Sequence, residues 1–301
     1  MCTTAPLEVV ADVTREKGAA LNVLGRLPGV DRSRAVLVGA HYDHLGFGGE
    51  GSLAPDAFGQ VHNGADDNAS GTAAVLEMAR VLAAGAQPAC DVVFALWSGE
   101  ELGLLGSEHW AQQPTFAVSS VAANLNLDMV GRSNGALAVL GVGSAAPFES
   151  WLASRAGLEL KLTRSGQGVG GSDHHTFLKR KIPALHFFTG VHPDYHKPTD
   201  DLERFDAAGA ARVVALGADV VRAMAASTAL AWIEPPVPEA GEKRGGSPMR
   251  VWFGTVPEYS YEGKGLLLAG TSAGSPAEKA GLIAGDVLVQ VGDIQIESIS
   301  D

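Results

Sequence analysis

Cysteine is nearly missing from this sequence: Cys2 and Cys90 are the two it has. That excludes a disulfide-stapled scaffold, and a redox couple is not expected between a residue in the loose start of the chain and one at the head of a strand pattern. Cys90 reads as a small buried side chain, so cysteine usage leaves the compartment open. Basic residues are short as well, 22 against 34 acidic ones, for a net charge of -12. No cationic surplus exists to displace counterions from nucleic acid or to hold an anionic membrane surface. Long apolar runs are absent too: none reaches the roughly 18 residues that a spanning helix needs. The opening MCTTAPLEVV has neither a basic n-region nor an apolar h-region, so no signal peptide is visible. The chain as written starts almost directly with a strand and is expected to be a piece whose leader lies outside it. No internal repeat and no coiled-coil heptad occurs.

What is present is globular. Hydrophobic residues make up 46% and charged residues 19% of 301 residues, enough for one large domain plus a smaller one. Alternation over Leu7–Val13 and Leu21–Leu27 predicts an opening β-hairpin. AVLVGAHYDH, DVVFALW, AANLNLDM, ALAVLGVG and PALHFF read as strands, the first two as continuous apolar runs suited to burial on both faces. Helical spacing of Val75, Met78, Ala79 and Leu82, and of Val213, Leu216, Gly217, Val220 and Met224, predicts helices between and after them. Alternating strands and helices imply an α/β three-layer sandwich with a mixed, largely parallel central sheet. This domain is expected over residues 1–232. A Pro/Gly/Glu/Lys stretch at 233–248 reads as a linker, and 249–301 as a small β-rich module of strand, short helix, turn and strand, with Ser275 as the cap of its helix.

The chemistry centres on VHNGADDNASG, Val61 to Gly71. Asp66 and Asp67 sit among small residues just before a helix, where a carboxylate either caps the helix or holds a cation or ligand. Polar residues elsewhere fall at strand ends: His41 and Asp43, Glu100 and Glu101, Asp128, and His192 and His196 beyond the last strand. Ligands bind beyond the carboxyl ends of the strands in such sheets, so His41, Glu100, Glu101 and Asp128 are expected to converge on one crevice, with Asp66 and Asp67 connecting to the same edge. Imidazoles and carboxylates are the donors of a borderline cation such as Zn²⁺. In the H-x-D pair, Asp43 is placed to accept the second ring N–H of His41 and fix its tautomer. Glu100-Glu101 is either a solvated helix start or, in the crevice, one ligand beside one general base. Two divalent ions would be balanced by Asp67, Glu101, Asp128 and a bridging hydroxide, with His41 and His196 as neutral ligands. Glu100, uncoordinated, would then move the proton from the water to the leaving amine.

GAHYDH, NGADDNASGTAA, WSGEELGLLGS, LNLDM, GGSDHHTF and DYHKPTDD, in this order, resemble the co-catalytic zinc aminopeptidases of metallopeptidase family 28, over about Leu7 to Thr228. The resemblance implies two zincs per chain. It implies His41 and Asp128 as terminal ligands of one, Glu101 and His196 of the other, and Asp67 as the shared ligand. It also implies Glu100 as general base, Asp43 as the orienter of His41, and Asp173 as a residue near the substrate pocket. The activity implied is release of N-terminal residues from peptides, in a secreted or periplasmic setting. A carboxypeptidase, with Arg132 and Arg164 as candidate carboxylate binders, a glutaminyl cyclase and a non-catalytic binding module are the alternatives on the same fold. GSPAEKAGLIAGDVL resembles the bacterial protease-associated PDZ domain, which implies a peptide ligand if the module is complete; the chain as written stops before the later strands and second helix of that pattern. The helix that precedes the first strand in this family is not found either.

Overall fold

The computed structural model describes residues 18–49, 51–57, 59–154, 160–165, 171–228, 230–234, 253–258, 261, 263–271, 275–292 and 294–297. Strands β1 (Val23–Leu27), β2 (Asp31–His41), β3 (Cys90–Trp97), β4 (Val121–Leu127), β5 (Ala136–Leu140), β6 (Lys161–Arg164) and β7 (Ala184–Phe188) form one seven-stranded sheet in the order β1-β3-β2-β4-β7-β5-β6. β3, β2, β4 and β7 run parallel to one another, and β5 runs parallel to β6. β1 against β3 and β5 against β7 are antiparallel, which makes the sheet mixed. β1 is the second arm of the expected hairpin; the first arm, 7–13, lies outside the described residues.

Helices cover both faces. Successive side chains of a strand point to opposite sides, and β2 shows it. Val36, Val38 and Ala40 join one core with Val75, Met78 and Leu82 of α1 (Gly71–Ala83). Ala35 and Leu37 face the other core, with Trp110 of α2 (Leu105–Gln112). The first core also takes Phe148 and Leu152 of α3 (Pro147–Ala153). The second takes Phe177 and Leu178 of α4 (His174–Leu178). The long helix α5 (Ala207–Ala226) lays Val213, Leu216, Val220 and Met224 on the first core. The result is a three-layer α/β sandwich. Cys90 is buried and reduced, with its thiol pKa pushed up by burial. Asp91, fully buried beside it, is neutralised by Arg26 and accepts the Gly29 N–H.

The topology places a crevice. From β2 the chain goes to β3 on one side; from β4 it continues to β5 on the other, with β2 and β4 adjacent. Such a reversal opens a gap at the carboxyl ends of those two strands. The C-terminal residues form a separate small unit: β8 (Thr255–Pro257), β9 (Leu266–Thr271), α6 (Pro276–Lys279), β10 (Val287–Leu288), β11 (Gln290–Val291) and β12 (Ile294–Gln295). Strands β8, β9 and β10 pair antiparallel, and Ser275 Oγ accepts the Glu278 N–H to cap α6. No described helix is long and apolar enough to cross a membrane.

Candidate active site

The chemical groups come from the ends of four strands and from one turn ahead of α1. His41 is the last residue of β2 and is 1% exposed. Asp128 follows β4 directly. Glu100 and Glu101 follow β3 in a tight turn that Gly99 (φ 71°) opens and Leu104 (φ 60°) closes, with Gly103 and Leu104 donating to the Glu100 carbonyl. His196 follows β7 and itself sits at φ 55°, a left-handed conformation uncommon for a residue with a Cβ. Its ring and carbonyl are held by the 46–59 loop: Leu53 N–H donates to His196 O, and His196 Nδ1 lies 2.7 Å from Gly51 O.

Asp67 comes from the irregular turn Ala65–Ser70 ahead of α1. Gly64, at φ 61°, starts the turn, and the Asp67–Asn68 peptide bond is cis. The helix start is satisfied by Asn68, whose Oδ1 accepts from Gly71 N and Met129 N while its Nδ2 donates to Leu127 O. Ser70 serves elsewhere, donating to Asp66 O and accepting from Val130 N. Asp66 Oδ1 accepts the Gly131 N–H at 2.6 Å and its Oδ2 lies 3.2 Å from His192 Nε2. The neighbours take over the capping and bracing, and the Asp67 carboxylate is left to the crevice.

There the groups form two halves. His41 Nε2 lies 3.4 Å from Asp67 Oδ1 and 3.4 Å from Asp128 Oδ1. His196 Nε2 lies 3.2 Å from Asp67 Oδ2 and 3.2 Å from Glu101 Oε2. The two oxygens of Asp67 therefore face different imidazoles. Glu100 belongs with His41 and Asp128, all three offering donor atoms within 4.8 Å of one another. His44, Asp67 and Glu101 do the same on the other side.

The donor set fits a cation in each half. His41 Nδ1 faces the carbonyl of Asp43 at 3.1 Å, and His196 Nδ1 that of Gly51. A carbonyl can only accept, so Nδ1 carries the proton on both rings. A neutral imidazole then turns the Nε2 lone pair toward carboxylate oxygens, which is repulsive unless a proton or a cation stands between them. Without a metal, protons stand in. Burial lowers both imidazoles, but Asp128 and Asp67 raise His41 well above its ordinary value, and Asp67 and Glu101 raise His196 to about 10. Burial likewise disfavours the charged forms of Asp67 and Glu101, yet the imidazoles hold both carboxyls below the ordinary range. Glu100 behaves oppositely. Burial, outweighing His41 and reinforced by Asp128, Asp173 and Glu101, pushes it well above the usual carboxylate range.

Other expected residues fall as follows. β2 ends at His41, so the two-residue alternation of a strand does not extend to Asp43. Its main-chain carbonyl is the nearer partner of His41, with the carboxylate at 3.8 Å and engaged with the Glu100 N–H at 3.2 Å. Asp173 is fully buried, lies outside the cleft lining, and burial raises its pKa to about 7. Arg132 is held by Asp194 and Asp200, and Arg164 by Glu149; neither lines the cleft. Gly170, the first residue of the GGSDHHTF motif, lies outside the described residues. His44, which reads from sequence as structural or peripheral, has its Nδ1 2.7 Å from Glu101 Oε1. Beyond the polar groups, Met129, Leu140, Phe188 and Val191 give the cleft an apolar wall, and Tyr195 lies flat on His196 at 3.8 Å between ring centroids.

The profile of Peptidase family M28 matches residues 22–221, and that of the PDZ domain matches 270–301. Leupeptin-inactivating enzyme 1 of Streptomyces exfoliatus is 30% identical over 188 residues, 61% of this chain and 39% of that protein. Aminopeptidase YwaD of Bacillus subtilis is 35% identical over 183 residues, 56% of this chain and 36% of that one. The chain thus spans about two fifths of the length of these curated relatives. Among solved structures, BSAP, a zinc aminopeptidase from Bacillus subtilis, superposes with a TM-score of 0.56 at 28% identity, covering 71% of this chain and 53% of that one. The LapA aminopeptidase of Legionella pneumophila, with a TM-score of 0.57 at 22% identity over 69% of this chain and 56% of that one, shares the fold.

Proposed function

The chain belongs to peptidase family M28, and from that membership we propose that it is a zinc-dependent aminopeptidase that holds two zincs and releases N-terminal residues from peptides. The observation that carries this reading is the split carboxylate of Asp67, with Oδ1 toward His41 and Oδ2 toward His196. The similarity to BSAP, a zinc aminopeptidase from Bacillus subtilis, supports the metal. His41, Asp128 and one oxygen of Asp67 would hold one ion; Glu101, His196 and the other oxygen the second. Bound there, paired zincs would supply Lewis acidity toward the scissile carbonyl and lower the pKa of water.

The protein's own groups do the rest. Glu100, next to Glu101 in the chain and grouped with His41 and Asp128, takes the proton from the attacking water on its carboxylate and returns it to the leaving amine. A base for that task needs a pKa lifted toward working pH, and burial supplies the lift. Asp43 positions that base by accepting the Glu100 N–H and orients His41 through its carbonyl. Asp173, within electrostatic range of Glu100, acts from behind the base, buried out of reach of the peptide. The apolar wall of the cleft receives the substrate side chain.

A carboxypeptidase would need a cation facing the cleft, and Arg132 and Arg164 are both committed to carboxylates. We assign catalysis to residues 1–232, a linker to 233–248, and a PDZ-like module to 249–301 that takes peptide ends by strand addition when complete. The test is hydrolysis of a panel of aminoacyl-arylamides with and without a chelator, alongside zinc content by atomic emission. Chelator-sensitive turnover on free-amine substrates with two zincs per chain is expected. Turnover that survives metal removal, or a requirement for a free substrate carboxylate, would sink the reading.

A further inference from the structure

Asp200 touches none of the reacting groups, yet it holds the turn that carries Asp67. It is fully buried. Its Oδ2 accepts two successive backbone N–H groups, from Asp66 at 2.9 Å and Asp67 at 3.0 Å, and its own carbonyl accepts from Ala65. Its Oδ1 takes Arg132 Nη2 at 2.5 Å, while Arg132 Nη1 goes to Asp194 at 2.7 Å. Asp66, one residue before the shared ligand, is bound in turn to Gly131 N and faces His192. Three segments are joined at this point: the Asp67 turn, the stretch after β4 that carries Asp128 and continues into Arg132, and the stretch after β7 that carries His196 and continues into Asp200.

We propose that Asp200, through its two amide bonds and its bridge to Arg132, is the positioning residue that fixes Asp67 so that one carboxylate can serve both halves of the site. This rests on the reading of Asp67 as a shared ligand. The physical argument is geometric. A bridging carboxylate must aim its two oxygens at different partners at once, which tolerates little rotation of the main chain behind it. Charge-assisted bonds from adjacent amides to one carboxylate are strong and directional, and the forked guanidinium ties that carboxylate to the segment of Asp128. Groups that orient ligands in this way are worth about 10–100-fold in metal affinity. Because Asp67 belongs to both halves, loosening its turn weakens both ions together.

The test is zinc titration against a competing chelator on the full chain, comparing wild type with Asp200→Asn and Asp194→Asn, together with thermal melts of the metal-free forms. Asp194→Asn removes a carboxylate from the same arginine but touches nothing in the turn. The expected result is two zincs in the wild type, both held about 10–100-fold more weakly in Asp200→Asn, and near wild-type affinity in Asp194→Asn, with similar metal-free melting temperatures for the two variants. Unchanged zinc affinity in Asp200→Asn overturns the inference. So does equal weakening in Asp194→Asn, which would reduce the effect to loss of an ion pair. A wild type that takes a single zinc overturns the shared-ligand reading itself, and with it this inference. If Asp200→Asn does not fold, Arg132→Gln decides: it removes the guanidinium that ties Asp200 to the Asp128 segment, a bond that Asp194→Asn leaves in place. It is expected to weaken both zincs, and unchanged affinity would again overturn the assignment of Asp200.

Discussion

Glu100 and Glu101 are neighbours in sequence with opposite fates, and that contrast tests the site at the scale of single residues. Glu101 meets two imidazoles, His44 and His196, and stays ionised; Glu100 meets mostly burial and like charge. Glu100→Gln is therefore expected to keep the zinc content of the wild type and lose about 10²–10⁴-fold in kcat, read by arylamide kinetics beside atomic emission. Full activity in that variant would remove Glu100 as base. The imidazoles give a second expectation, for the metal-free chain. His196 titrates at about 10 when folded against about 6.5 when unfolded, and His41 is raised too. A raised folded pKa means that the folded chain holds a proton the unfolded chain has released. This stabilisation is complete below pH 6.5 and fades as pH rises toward 10. Metal-free protein should melt lower at pH 9 than at pH 6, and zinc should raise the melting temperature more at pH 9. Calorimetry with and without chelator checks it; equal shifts at the two pH values would exclude the imidazole–carboxylate pairs as the source. Much of this site is legible in the sequence because His41, Glu101 and Asp128 sit at strand ends, where hydrophobic periodicity stops on a polar group. His44 and Asp200 are not legible. Their partners lie 57 and 134 residues away, and only the folded chain brings them together.

At the scale of elements, the turn Ala65–Ser70 and the start of α1 show why a small-residue stretch was needed. A Cβ on Gly71 would stand 2.3 Å from Asn68 Oδ1 and 2.5 Å from Leu127 O, so the helix starts in contact with the end of β4. Asn68 spans that contact with three hydrogen bonds. Asn68→Ala leaves the buried N–H groups of Gly71 and Met129 and the Leu127 carbonyl short of partners. At about 1–3 kcal/mol for a buried unsatisfied group, the expected loss is on the order of 3 kcal/mol, measured by urea unfolding in chelator. A loss under about 1 kcal/mol would show that water replaces the amide. The helix start was legible from Asp, Asn and Ser before an apolar stripe. Which residue caps it was not, since Ser70 and Asn68 are both favoured caps and only the position of β4 separates them. The strands read well because β2 and β3 are continuous apolar runs bounded by polar ends. The antiparallel placement of β1 on β3 was not legible, because pairing depends on partners more than sixty residues away.

For the whole molecule, the two family matches, 22–221 and 270–301, fall on different stretches of the chain. A chain ended at Glu234 is expected to keep its zinc content and its turnover on aminoacyl-arylamides. Loss of a cooperative melt in that shorter chain would show instead that the two units depend on each other. The order of the sheet has a consequence in time. His41, Asp67, Glu101 and Asp128 lie within the first half of the chain, whereas His196 follows β7, 68 residues after Asp128. A ribosome adding about 5–20 residues per second needs roughly 3–14 s to cover that distance. The half made by His41, Asp67 and Asp128 is thus synthesised in full before His196, the last member of the other half, leaves the ribosome.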